Sequence, residues 1–257
     1  MCMIGNMMNN NGIIKVENLS ASFGSTKILH NVSFEAFQNQ ITVILGKSGS
    51  GKTVTLKHLL GLLPIQQGSI SINGQRIEHS DEMSMKQLRL KMGVLFQNGA
   101  LLNSLTVAEN IAIPLEQHTN LFSELIDRLI RIKLNLVGLE EAGNLLPSQL
   151  SGGMRKRAAL ARALALDPPM LFCDEPSAGL DPVTLEALDR LILNLKNQLG
   201  MTIILVTHEV SSIFRLADRV IFLEEGRVSY EGDLERALES DIPAVSSFFN
   251  KARGKTN

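Results

Sequence analysis

The sequence predicts an α/β fold, a doubly wound and largely parallel sheet whose middle third is taken over by a helical insert. Short apolar, β-branched runs alternate with helical patterns through the first and last thirds, the pattern of strands joined by crossover helices. Between Asn98 and Asp167 the strand signal disappears and helical periodicity replaces it. One strand, Ile41–Leu45, runs directly into a glycine-rich loop and then a helix. Parallel sheets bind ligands at connections of this kind, on their carboxyl edge.

In chain order, strands are expected at Ile13–Glu17, Val32–Glu35 and Ile41–Leu45. A helix follows from Lys52 to about Leu62, with Pro64 as its stop. Further strands are expected at Ser69–Ile72, Gly93–Phe96, Met170–Cys173, Thr202–Val206 and Arg219–Leu223. A hairpin turn at Glu225–Gly226 leads into a last strand, Arg227–Tyr230. In the insert the clearest helices are Leu121–Val137 and Met154–Leu166. The organisation expected is one domain with two lobes. Residues 1–97 and 168–240 form a catalytic core, 98–167 a helical subdomain and 241–257 a tail. In the tail, Ile242, Val245, Phe248 and Phe249 recur at helical spacing. That stripe is expected to pack on its own core; the sharper alternative is that it reaches a second subunit.

Composition narrows the function. A chain of 257 residues with 44% hydrophobic content can bury one sizeable core. The formal charge is −1 and aromatics make up 4%, with no Trp, so neither a basic surface nor stacking platforms argue for nucleic acid. Met1–Gly12 is rich in Met and Asn and has neither the charged start nor the apolar run of a signal peptide. No run of about 18 uncharged apolar residues spans a bilayer. Cys2 and Cys173 lie far apart, and Cys173 sits in an apolar run, as a buried free thiol in a reducing cytoplasm does.

Gly46-Lys47-Ser48-Gly49-Ser50-Gly51-Lys52-Thr53 fits the pattern G-x-x-x-x-G-K-[ST] between a strand and a helix. Glycines let the loop wrap until backbone N–H groups point at phosphate oxygens, and the helix N-terminus adds its positive end. Lys52 brings a full charge to the β- and γ-phosphates, and Thr53 offers a hydroxyl to Mg²⁺. Chance produces one such match in roughly one per cent of chains this long, and the flanking strand and helix lower that further. The loop is read as a nucleotide site.

Met170–Cys173 is an apolar strand that ends in two acids, Asp174 and Glu175. A carboxylate at a strand's carboxyl edge beside the phosphate loop can hold Mg²⁺ through its water shell, the role given to Asp174. Glu175 is the candidate general base for the attacking water, and Pro176 ends the strand.

Leu150-Ser151-Gly152-Gly153-Met154 opens a helix carrying Arg155, Lys156, Arg157 and Arg162. Here the sequence resembles an ABC ATPase, whose signature reads LSGGQ, and the other family elements follow in order from about Ile13 to Gly232. The resemblance implies a P-loop NTPase (RecA-like) core with an antiparallel β subdomain and an inserted α-helical subdomain. It implies that Phe23 stacks on adenine, although a Phe at a strand end is as often a core residue. Gln97 is implied to be the Q-loop glutamine, sensing Mg²⁺ or water and coupling the site to the helical lobe. Asp181, in Ser177-Ala178-Gly179-Leu180-Asp181, falls in the D-loop, and His208 would be the switch histidine contacting the γ-phosphate. Ser151, Gly152 and Gly153 would reach the nucleotide of a second copy, so that two ATPs are sandwiched in a homodimer. The basic residues of this helix are expected to be solvated and dimer-facing, in preference to binding nucleic acid or lipid headgroups.

One P-loop and one signature exclude the fused translation factors of the family, and no long heptad stretch suggests a DNA-repair ATPase. The segments Phe96–Leu102 and Ser104–Asn110, with Met154 and the tail Asp241–Phe249, resemble ATPases of MCE-type (Mla) phospholipid transporters. That resemblance implies integral-membrane permease subunits, an MCE-type lipid-binding protein and the cytoplasmic face of the bacterial inner membrane. An ATPase for polar solutes such as amino acids, or a non-transport cytosolic ABC ATPase, stays open as an alternative.

Overall fold

The computed structural model describes residues 12–252, so Cys2 and most of the Met-rich start lie outside the described residues. The chain opens with two antiparallel strands, β1 (Ile14–Phe23) and β2 (Thr26–Ala36), both longer than the sequence predicts. Bulges explain the difference. The pairing register shifts between Val16 and Leu19 and again between Leu19 and Ala21, and Asn18 and Asn31 take positive φ of 50° and 52°. Asparagine tolerates that conformation, but the extra residue breaks the period-two alternation by which a strand is recognised. Ser20 pins the bulge, its hydroxyl donating to Asn31 Oδ1 at 2.9 Å and accepting from Asn31 N–H at 3.0 Å.

β3 (Ile41–Leu45) enters a second sheet and is followed by α1 (Lys52–Leu59). Pro64 does not stop this helix. Gly61, at φ 61°, ends it three residues earlier, with Gly61 N–H on the His58 carbonyl and Leu62 N–H on that of Lys57. This is the bonding pattern by which a left-handed glycine closes a helix. The chain returns to the first sheet as β4 (Gln67–Ile72) and β5 (Gln75–Arg76), giving the antiparallel order β2-β1-β4-β5. A helix the sequence reading did not mark, α2 (Glu82–Leu90), starts on an Asp81 cap and leads into β6 (Met92–Leu95).

The next stretch contains only helices and turns: α3 (Val107–His118), α4 (Ser123–Leu136) and α5 (Gly152–Ala163). Thr106 and Glu109 form a reciprocal capping box on α3. α3 packs against both α4 and α5, and α5 reaches back to β6. Strands resume with β7 (Met170–Asp174), then α6 (Pro182–Leu199), β8 (Thr202–Val206), α7 (Val210–Leu216) and β9 (Arg219–Glu224). The predicted Glu225–Gly226 turn is present, both residues at positive φ, and leads into β10 (Arg227–Asp233). α8 (Leu234–Leu238) and α9 (Pro243–Ala252) close the chain.

The second sheet has the order β10-β9-β3-β8-β7-β6, parallel throughout except for β10 at one edge. It splits the core into two layers. Val43, Leu45, Leu171, Cys173, Ile203 and Leu205 face a layer made of the helical insert with α6, α7 and α9, while Ile44, Phe172, Ile204, Val206 and Ile221 face α1 and the antiparallel sheet. Burial on both faces explains why these strands read as continuous apolar runs. Burial also pushes the Cys173 thiol up to about 12, so it stays protonated. The tail stripe packs on its own core: Val245 and Phe249 are 0% and 2% exposed, and Phe249 meets Phe214 with ring centres 5.9 Å apart. No helix among the described residues is long and apolar enough to cross a membrane.

Candidate nucleotide site

The phosphate loop, Gln97, Asp174 with Glu175, and His208 each lie at or just after the carboxyl end of a parallel strand. The loop after β3 is glycine-rich for a steric reason visible at Gly46. There φ is 149° and an added Cβ would lie 2.1 Å from the Leu223 carbonyl oxygen of β9. Lys52 folds back over the loop, donating to the carbonyls of Gly46 at 3.0 Å and Lys47 at 3.1 Å. It is buried, which pushes its pKa down, while Glu175 and Asp174 act in the opposite sense. A buried ammonium held over a cradle of backbone groups is a receptor for an anion.

Asp174 and Glu175 close β7 and face the loop. Thr53 Oγ1 donates to Asp174 Oδ1 at 3.1 Å. Burial raises the Asp174 pKa, and the Thr53 hydrogen bond and the nearby Lys57 and Lys52 oppose that rise. Glu175 adopts φ 45°, with its N–H on the Val206 carbonyl at 2.8 Å, so the chain turns sharply at this residue. Its Oε1 stands 2.9 Å from His208 Nδ1 in the loop after β8, and its Oε2 is buried with no partner. Ser50 Oγ is a second orphan of the same kind. Buried acceptors and donors are rarely left unsatisfied, and the Glu175 orphan, on a residue that lines the cleft beside the phosphate loop, marks where a polar ligand belongs; Ser50 itself does not line that cleft.

The cleft has a volume of about 770 Å³, enough for a nucleotide. Of the residues expected here, Phe23, Gly46–Gly49, Gly51–Thr53, Gln97, Glu175 and His208 line it, while Asp174 reaches it through Thr53. Phe23 is 51% exposed at the end of β1, which fits a base platform better than a core residue. Ser151, Gly152, Gly153 and Asp181 are not brought to this cleft. Ser151 caps α5, accepting from Met154 N–H, and Asp181 caps α6, accepting from Val183 and Thr184 N–H. Hydrogen bonds from Thr184 hold the Asp181 carboxyl below the usual range. Gly153 is needed by packing, since an added Cβ would lie 2.2 Å from Thr184 Cγ2. Ser151 and Gly152 are exposed.

A family model described as "ABC transporter" matches residues 29–178. The chain belongs to the ABC transporter family. It is 42% identical over 240 residues to the "Probable ribonucleotide transport ATP-binding protein mkl" of Mycobacterium leprae, covering 93% of this chain and 69% of that protein. It is 39% identical to the "Intermembrane phospholipid transport system ATP-binding protein MlaF" of Haemophilus influenzae, covering 93% and 90%. Among solved structures, the ATP-binding cassette MJ0796, a dimer bound to ADP and Pi, superposes with a TM-score of 0.79. There the identity is 31%, covering 86% of this chain and 98% of that one.

Within this ABC fold one expectation holds only in part. Of the basic residues of α5, Arg155 is exposed, but Arg157 and Arg162 are half-buried. Lys156 is buried and donates to the Gln97 carbonyl, and Arg155 bonds the Leu150 carbonyl. Arg157 bonds those of Val137 and Gly138, and Arg162 those of Gly99 and Ala100. The helix spends its cations on loop carbonyls that have no regular partner. Sequence reading also missed Ile28, Val54 and Phe248 as cleft residues. Ile28 lies in the part of β2 hidden by the bulge. Phe248 comes from α9, held edge-on to Phe222 at 5.5 Å, and no local pattern announces that contact.

Proposed function

We propose that this chain is the ATP-hydrolysing subunit of an ABC transporter that drives phospholipid movement at the bacterial envelope. The observation that carries the chemistry is the Glu175–His208 pair, 2.9 Å apart in a cleft with a phosphate loop on its other wall. Lys52 would hold the β- and γ-phosphates in exchange for its two loop carbonyls. Glu175 would take the proton of the attacking water through its free Oε2, with His208 orienting it and contacting the γ-phosphate. Phe23 would stack on the base.

The residues present fit Mg²⁺ carried by the nucleotide. Thr53 and Asp174 bring two hard oxygens together, and Gln97 stands across the cleft. Bound with ATP, the ion would neutralise charge on the phosphates, and Thr53, Gln97 and Asp174 would hold it.

Ser151, Gly152, Gly153 and Asp181 would serve the nucleotide of a second copy, so the working unit is a homodimer. The exposure of Ser151 and Gly152 away from their own cleft supports this. Residues 98–167 would act as a lobe moving against the core, carrying a docked helix of an integral-membrane permease on the cytoplasmic face of the inner membrane. The phospholipid cargo rests on the MlaF relative, matched over nearly its whole length, and on the Phe96–Asn110 segment; an MCE-type protein would complete the complex. Affinity purification from solubilised membranes with lipid analysis tests it. Recovery of a multi-span permease with an MCE protein and bound phospholipid is the expected result. Recovery of a permease with a soluble solute- or nucleotide-binding protein would overturn the cargo and leave the ATPase standing.

A further inference from the structure

We propose that Lys156 is a positioning residue that ties the Q-loop of one nucleotide site to the signature helix serving the other. The proposal rests on the reading that Ser151 acts on a partner's nucleotide, and adds how a single chain would link its two half-sites.

Lys156 lies on α5, five residues after the Ser151 cap, and is 7% exposed. Its ammonium donates to the Gln97 carbonyl, the residue whose side chain lines this chain's own cleft. Burying a lysine is costly, and an apolar side chain of similar length would fill the space without desolvating a charge. Burial pushes its pKa down, opposed by Cys173 and Glu175, so the ammonium lies within electrostatic reach of the candidate base. Six residues further along α5, Arg162 grips the same loop. Its two terminal nitrogens donate to Ala100 O at 2.7 Å and Gly99 O at 3.0 Å. Between the two cations the loop lies against the helix: a Cβ at Gly99 would come 3.2 Å from Ala159 Cβ.

Three carbonyls of residues 97–100 are therefore hung on the helix that the signature serine caps. Arg162 grips the far end of the loop with a rigid fork, and Lys156 holds the end that carries Gln97 with a single flexible donor. A shift of the α5 N-terminus on meeting a partner's nucleotide moves the Gln97 backbone with it. A ligand at one site is then felt at the other, as a coupling free energy between two sites requires.

Lys156→Met, in the full chain, removes the charge and keeps the length. Amide exchange at residues 97–101 should rise by about tenfold in the nucleotide-free protein. ATP Kd should stay within about twofold, while kcat falls about tenfold and the Hill coefficient for ATP drops towards one. Lys156→Arg should recover at least half of the rate, which a volume-filling role does not explain. Unchanged exchange at 97–101 would overturn the tie. Raised exchange with wild-type kcat and Hill coefficient would overturn the coupling. Should the Met variant lose its cooperative thermal transition, Lys156→Leu, which likewise removes the donor and the charge, is measured in the same way against the same outcomes. Failure of subunits to share sites is read separately, in mixed Ser151→Arg and Lys52→Ala chains. The exchange result does not depend on it.

Discussion

The phosphate cleft and the signature end of α5 carry similar residues in opposite states. In the cleft, Lys52, Thr53, Asp174 and His208 each hold another residue of the same chain. At the signature, Ser151 and Asp181 hold only the first N–H groups of their own helices, and Ser151 and Gly152 face outwards. The cleft is built where parallel strands buried on both faces end side by side, so its geometry is fixed by the sheet. The signature is fixed by one helix start and lacks the second wall that would make it a site. A monomer thus contains one closed half and one open half. On the proposed reading, a complete site requires two chains.

Breaking the closed half should have the largest effect. Glu175→Gln retains a carbonyl for His208 but removes the proposed base, and hydrolysis should fall by ~10²–10⁴ with ATP still bound. Turnover within threefold of wild type, measured by phosphate release, would remove Glu175 from that role. Lys52→Ala deletes the buried charge and should raise the ATP Kd by about tenfold or more, since charge-assisted bonds contribute ~1.5–3 kcal/mol. Calorimetry showing unchanged affinity would contradict it.

Smaller effects sharpen the open half. Gly153→Ala forces a methyl against Thr184 Cγ2 and should cost about 1–3 kcal/mol of folding stability, seen as a lowered denaturant midpoint. Ser151→Ala should cost about 1 kcal/mol as a lost cap and leave nucleotide affinity of the isolated chain unchanged. A loss of affinity in that variant at concentrations where the chain is monomeric would place Ser151 in its own cleft.

The two regions also differ in how well the sequence revealed them. The phosphate loop and the Asp174–Glu175 strand end were legible because motif and context are contiguous: β3 and β8 occupy the predicted residues, and β7 extends its predicted run by one. α6 was overlooked although Asp181-Pro182 opens it, Gly200 closes it and Leu185, Leu188, Ile192 and Leu195 mark its buried face. Those signals lay in plain view, and Asp181 had been read for ligand binding instead of capping. The bulged strands were shortened because Asn18 and Asn31 break the alternation. Among the basic residues of α5, Lys156 was misread for a deeper reason. A cation that bonds a carbonyl 59 residues away, as Lys156 does with Gln97, looks in sequence like any solvated charge. Phe248 in the cleft is of the same kind.

The most direct test of two incomplete halves is complementation. Ser151→Arg blocks the open half and Lys52→Ala disables the closed half, so neither homodimer holds an intact site. A mixed dimer holds one doubly broken site and one intact site. Mixing two inactive chains should therefore restore ATP hydrolysis in proportion to the heterodimer formed. Heterodimers shown to form, with no recovery of hydrolysis, would contradict the account.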